Sequence, residues 1–112
     1  MIERRKIREE ELTLISFLLY HLGLTSEYQI NEEVYEYEGG KMGSIGLGAD
    51  DATYESDLIQ VEYIDTDDVP VVITLTKDTN DQLLDLDFWK TDFSKLIEYP
   101  SIKKIIVKKS AL

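Results

Sequence analysis

Cysteine is absent from the 112-residue chain, which removes disulfides, thiolate metal sites and cysteine nucleophiles together and leaves packing as the source of stability. The absence fits a cytoplasmic location. Histidine occurs once, as His21, so a multi-histidine metal centre is excluded and a catalytic base of that type lacks a partner nucleophile. No stretch approaches the roughly 18 consecutive apolar residues of a membrane span. The apolar stretch after Arg4, Arg5, Lys6 and Arg8 is broken by Thr13, Ser16 and His21 and has no small-residue cleavage site, so neither a signal peptide nor a membrane partner is expected.

Positive charge is scarce as well, with 12 Lys and Arg against 23 Asp and Glu and a formal net charge of −11. Eight of the twelve basic residues sit at the ends, as Arg4, Arg5, Lys6, Arg8, Lys103, Lys104, Lys108 and Lys109. Residues 9–102 keep Lys41, Lys77, Lys90 and Lys95 against 22 acids, every one but Glu3, so this part of the chain carries 4 − 22 = −18. Such a field repels nucleic-acid phosphates and anionic lipid and speeds encounter with a cationic protein. It also attracts the basic ends of a second copy, so self-association is a further expectation. The ordinary use of surface acids is solubility.

What is present is a globular composition, 43% hydrophobic and 10% aromatic, in a length that suits a single domain over residues 1–112. From Arg8 to Leu22 the residues Leu12, Ile15, Leu18, Leu19 and Leu22 recur at three- and four-residue steps, widened by Leu14 and Phe17, and predict an amphipathic helix. Glu9, Glu10 and Glu11 suit its first turn and Gly23 its end, although no Ser, Thr, Asp or Asn stands at a clear cap.

Beyond Gly23 the period becomes two. Residues 28–37 and 44–47 read as a hairpin around Glu38-Gly39-Gly40-Lys41. Residues 48–57 read as a polar loop, and residues 58–64, 69–76 and 82–89 as three strands joined by Asp-rich turns, an antiparallel meander. Pro70 points to an edge strand or an unpaired first residue. Residues 92–96 suggest a short helical turn capped by Asp92, and residues 102–109 fit either a strand or a short helix. The expected architecture is α+β: an N-terminal helix packed on an antiparallel sheet of about five strands, mostly meander.

Two segments carry a resemblance. Gly39-Gly40-Lys41-Met42-Gly43-Ser44-Ile45 and the stretch LDLDFWKTDFSKL over residues 84–96 resemble a family of small uncharacterised bacterial proteins, a domain of unknown function with a Gly-Met-Gly-Ser segment and a Leu-Asp-Phe-Trp-Lys-x-Asp-Phe-Ser motif. The resemblance spans roughly residues 5–96. It implies an α+β domain and brings no catalytic or binding residues with it.

The chemistry-bearing clusters each meet a plainer reading. Gly43-Ser44-Ile45-Gly46-Leu47-Gly48 lacks the third glycine of a dinucleotide fingerprint and the Gly-Lys-Ser/Thr of a P-loop, so its glycines are read as turn and close-approach residues. Asp65, Asp67 and Asp68, and Asp78, Asn80 and Asp81, lack the glycine and terminal glutamate of a calcium loop and read as turns whose carboxylates bond backbone amides. No metal and no cofactor is implied.

The densest cluster is Asp85, Asp87, Trp89, Lys90 and Asp92. Asp85 and Asp87 project from one strand face about 7 Å apart, near enough to couple their titrations or share a cation. The plainer arrangement pairs Lys90 with Asp87 or Asp92 and lets Trp89 cover one end of the core. Together with Glu62 these residues form the candidate partner or ligand face. The leading expectation is a non-enzymatic, acidic protein-binding or regulatory domain, immunity-like in size and charge, that takes a cationic protein. The alternative is a small ligand-binding or hydrolase domain using the same acidic strand face. Exposed tyrosines among Tyr28, Tyr35, Tyr37, Tyr54 and Tyr63 would serve as interface anchors.

Overall fold

A computed structural model of the chain describes residues 3–37, 39 and 41–110, with the backbone alone for 108–110. Glu38 and Gly40 of the expected hairpin turn lie outside the described residues.

The helical period is realised as α1, Glu9–Leu22. Its buried stripe is Glu11, Leu14, Ile15, Leu18 and Leu19, whereas Leu12, expected on the stripe, is exposed. The stripe is rotated toward Glu11 because Arg5 makes that carboxylate acceptable inside: Arg5 Nη1 and Nη2 donate to Glu11 Oε1 and Oε2 at 3.0 and 2.8 Å. Glu11 also accepts the Arg8 N–H at 2.8 Å, so the cap missing at Arg8 comes from three residues further on. Burial alone would push the Glu11 carboxyl up, but Arg5 and the Arg8 amide outweigh it and hold it below the usual range. The helix ends at Gly23, whose φ of 72° is the left-handed conformation that a side chain resists.

Before and after the helix come β1 (Arg5–Lys6), β2 (Glu33–Glu36), β3 (Ile45–Gly46), β4 (Tyr54–Ile64), β5 (Pro70–Asp78), β6 (Leu83–Lys90) and β7 (Ile106–Ser110). They form one antiparallel seven-stranded sheet in the order β1-β2-β3-β6-β5-β4-β7. The expected hairpin is β2–β3 and the expected meander is β4–β5–β6; the two runs meet where β3 pairs β6. Among the described residues the count is seven rather than about five, because β1 is too short to show a period and because the final segment is both alternatives in turn: a 3-10 turn at Ile102–Lys104 followed by β7. β4 begins within the expected polar loop, carried out to Tyr54 by pairing with Asp78 across two bulges. Pro70 is the first residue of a central strand, where its missing donor is tolerated. The helical turn expected at residues 92–96 is absent, since Phe93 takes a φ of 63°, outside the helical region.

Strand alternation sorts the sheet into two faces. Ile59, Val61, Tyr63, Val71, Ile73, Leu75, Leu86 and Phe88 join Leu14, Ile15, Leu18 and Leu19 of the helix in one core. Each fully buried Leu, Ile or Phe contributes about 1.5–3 kcal/mol relative to exposure. α1 covers that face, and the opposite face is largely open to solvent.

Candidate functional site

The parity of β6 puts Asp85, Asp87 and Trp89 on the open face and Leu86, Phe88 and Lys90 on the core face. Cross-strand register extends these residues into rows. Trp89 stands beside Val72, which stands beside Glu62, which stands beside Ile106. Asp87 stands beside Thr74, and Thr74 beside Gln60. Asp85, Asp87, Trp89 and Glu62 therefore share one surface, with Ile106, 44% exposed, and Trp89, 46% exposed, at opposite ends of one row.

Two tyrosines complete the surface. Tyr35 lies opposite Gly46 in the β2–β3 ladder, and its ring occupies the space a side chain there would need: a Cβ on Gly46 would sit 2.0 Å from Tyr35 Cζ. The Tyr35 and Tyr37 rings meet edge to face at 5.2 Å, their hydroxyls lie 3.1 Å apart, and the Tyr37 hydroxyl donates to Asp85. Arg4 stacks 5.1 Å above the Tyr35 ring and donates to the Gly48 carbonyl at 2.9 Å and to Asp50. Burial pushes the Asp85 carboxyl above its ordinary range, helped by the Asp87 charge and opposed by the Tyr37 hydroxyl; burial and Asp85 together push Tyr37 up.

Asp87 accepts from Ser44 Oγ at 3.2 Å, and Ser44 Oγ in turn accepts the Phe88 N–H at 2.8 Å, which ties the glycine-rich segment to β6. Between these elements lies a recess of about 390 Å³ bordered by Tyr37, Met42, Asp87, Trp89 and Phe93. Asp92, at the adjoining turn, is engaged locally: its Oδ1 accepts the Ser94 hydroxyl at 2.6 Å and the Ser94 N–H at 3.0 Å, which hold its carboxyl below the usual range.

Lys90 departs from its expected place. It does not pair with Asp87 or Asp92; its side chain is 1% exposed on the core face, where Nζ donates to Asp65 Oδ2 at 3.0 Å, Asp67 Oδ2 at 2.7 Å and the Lys95 carbonyl at 3.0 Å. Burial works against its charge, but Asp67 and Asp65 outweigh it and raise its pKa. Asp65 is also buried, and accepts the N–H groups of Thr66, Ile97 and Glu98 at 2.8, 2.8 and 3.1 Å. Burial pushes its carboxyl up, yet those donors and Lys90 hold it below the usual range. The Asp-rich turn therefore encloses an internal ammonium and straps residues 95–98 over the end of the core. Trp89, expected to cover that end, lies on the other face against Phe93, with ring centroids 6.1 Å apart.

Sequence reasoning missed Ser44 and Phe93 as members of the site, and named Tyr37 only as one of five tyrosines that could anchor an interface, without joining it to Asp85. A signal for Tyr37 existed: once β2 and β3 are a hairpin and β3 adjoins β6, parity places Tyr35, Tyr37, Asp85 and Asp87 together.

Fold and site define an α+β domain, a helix packed on an antiparallel sheet, with an open, acidic and aromatic sheet face. The family model for the domain of unknown function DUF6984 matches residues 4–100, and the chain belongs to that family. No curated protein and no solved structure matches the chain. No helix among the described residues is long and apolar enough to cross a membrane.

Proposed function

We propose that this chain is a non-enzymatic, cytoplasmic binding or regulatory domain whose open sheet face docks a cationic protein, in the manner of an immunity protein covering a basic target. The observation that carries the reading is that Asp85 and Asp87 form no ion pair among the described residues while exposed Trp89, Tyr37 and Phe93 adjoin them. Aromatic anchors beside unneutralised carboxylates supply both the contact area and the steering that association with a basic surface needs. The same field disfavours nucleic acid, and like charges oppose a face-to-face pairing of two copies, so any self-association would use the basic ends. Quantitative affinity capture at low and high salt tests the reading. A cationic partner retained by the wild type, and lost both at high salt and with Asp85→Asn/Asp87→Asn, supports it; recovery of no such partner, or equal recovery by the variant, overturns it.

The second reading, a small hydrolase or ligand-binding domain using Asp85, Asp87 and Glu62, is favoured by the raised Asp85 carboxyl beside Asp87. It requires turnover whose acid limb moves when Asp85 becomes Asn, and the absence of turnover across generic ester and glycoside substrates counts against it.

A further inference from the structure

The recess between the β6 open face and the Met42 segment contains a different chemistry from the buried Lys90 site. Lys90 is held by two carboxylates and a carbonyl, oxygens converging on an ammonium from several sides. The recess instead presents one carboxylate, Asp87, among the rings of Trp89, Phe93 and Tyr37, which are 46%, 65% and 37% exposed. Trp89 and Phe93 are inclined at 53° with centroids 6.1 Å apart, so they form an open angle rather than a closed stack. One Asp87 oxygen accepts from Ser44, and the other has no partner among the described residues.

Phe93 is kept in this position against its backbone preference. Its φ of 63° is a left-handed conformation uncommon for a bulky residue, pinned by its N–H donating to the Lys90 carbonyl at 2.8 Å. A glycine would suit that backbone better, and the ring it carries is mostly in water.

Resting on the docking reading above, we infer that this recess is the anchor pocket for an arginine side chain of the cationic partner. A guanidinium is planar and weakly hydrated, so it stacks on an indole or phenyl face while its edge N–H groups reach a carboxylate in the same plane. A compact ammonium gains less from an open pair of rings and one carboxylate, and an anion is repelled by Asp85 and Asp87. The volume of about 390 Å³ accommodates the head and distal stem of one such side chain.

Trp89 is the only tryptophan in the chain, so its fluorescence reports on the recess directly. The probe is the peptide acetyl-Gly-Arg-Gly-Arg-Gly-amide, compared with versions in which lysine or uncharged citrulline replaces arginine. The expected result is a saturable change in Trp89 emission with the arginine peptide, at least threefold weaker binding by the lysine peptide and no saturation with citrulline. Phe93→Gly and Asp87→Asn should each weaken the arginine response at least fivefold, with the fold intact by circular dichroism; for Phe93→Gly the backbone conformation ensures that. Equal responses to all three peptides, or an arginine response unchanged in Phe93→Gly, overturn the pocket. Calorimetry separates that failure from failure of the broader reading: salt-sensitive binding of the arginine peptide that is unchanged in Phe93→Gly but lost in Asp85→Asn/Asp87→Asn overturns the arginine anchor and leaves the acidic face standing. No binding of any cationic peptide overturns both.

Discussion

The chain contains two Asp-x-Asp segments, Asp65-Thr66-Asp67 and Asp85-Leu86-Asp87, whose fates are opposite. The first closes on Lys90, with Asp65 and the ammonium both buried, and uses its remaining lone pairs on backbone amides from residues 97 and 98. The second lies on an open strand face with no ion pair among the described residues and a tyrosine hydroxyl as its chief partner. Local chemistry is the same in both. What differs is whether the fold itself supplies the cation, and a carboxylate pair left without one is the better place to look for a partner.

The largest test of that contrast is thermodynamic. Asp65→Ala leaves a buried ammonium short of a partner and strips acceptors from three amides, so urea unfolding should show a loss of about 3–5 kcal/mol. A cost below about 1 kcal/mol would remove the structural role of the first pair. The pH dependence of stability should separate the pairs next. Asp65 has a depressed folded-state pKa, so its contribution is present above the unfolded value near 4 and is lost as pH falls through the folded value. Asp85 has a raised pKa, so the folded state takes up its proton first and acidification relieves it. In unfolding midpoints measured from pH 2 to 7, Asp65→Asn should flatten the acid-side fall, whereas Asp85→Asn should steepen it; effects of the same sign would contradict the contrast.

Gly46→Ala gives a smaller expected effect, about 1–2 kcal/mol, because the new methyl forces the Tyr35 ring off β3 and away from Arg4. Ring-current shifts of Tyr37 in the variant should report the displacement, and unchanged shifts would mean that the tyrosines do not pack as described. The smallest stability effect belongs to Asp87→Asn, within about 0.5 kcal/mol of wild type by the same unfolding assay, since an exposed strand carboxylate contributes little to folding. A loss comparable to that of Asp65→Ala would erase the difference between the two pairs.

Much of the architecture was legible because it depends on local periods. The three- and four-residue spacing from Leu14 to Leu19 marks α1, and the alternation of Leu84, Leu86 and Phe88 against Asp85 and Asp87 marks β6 with its two faces. β1 and the split of the last segment were not legible, since two residues have no period and a 3-10 turn followed by a strand averages to neither. Leu12 was misplaced because five leucines on one helix outnumber the positions the core can take, and Glu11 won a place through Arg5, a partner outside the helix. The hand of Phe93 could not be foreseen from a run, Thr-Asp-Phe-Ser, that also suits a helical start.

Composition and spacing alone determined that the chain is acidic, free of thiol chemistry, and built from an amphipathic helix and an alternating meander. These are properties of nearest neighbours along the chain, governed by backbone geometry and side-chain parity. Only the tertiary structure decided that Lys90 turns inward to Asp65 and Asp67, that Tyr37 reaches Asp85, and that Trp89 and Phe93 open a recess beside Asp87. Those contacts join residues brought together by strand pairing between distant segments. Which charge meets which is then a question of register and burial, because desolvation penalises every buried charge that the fold fails to match.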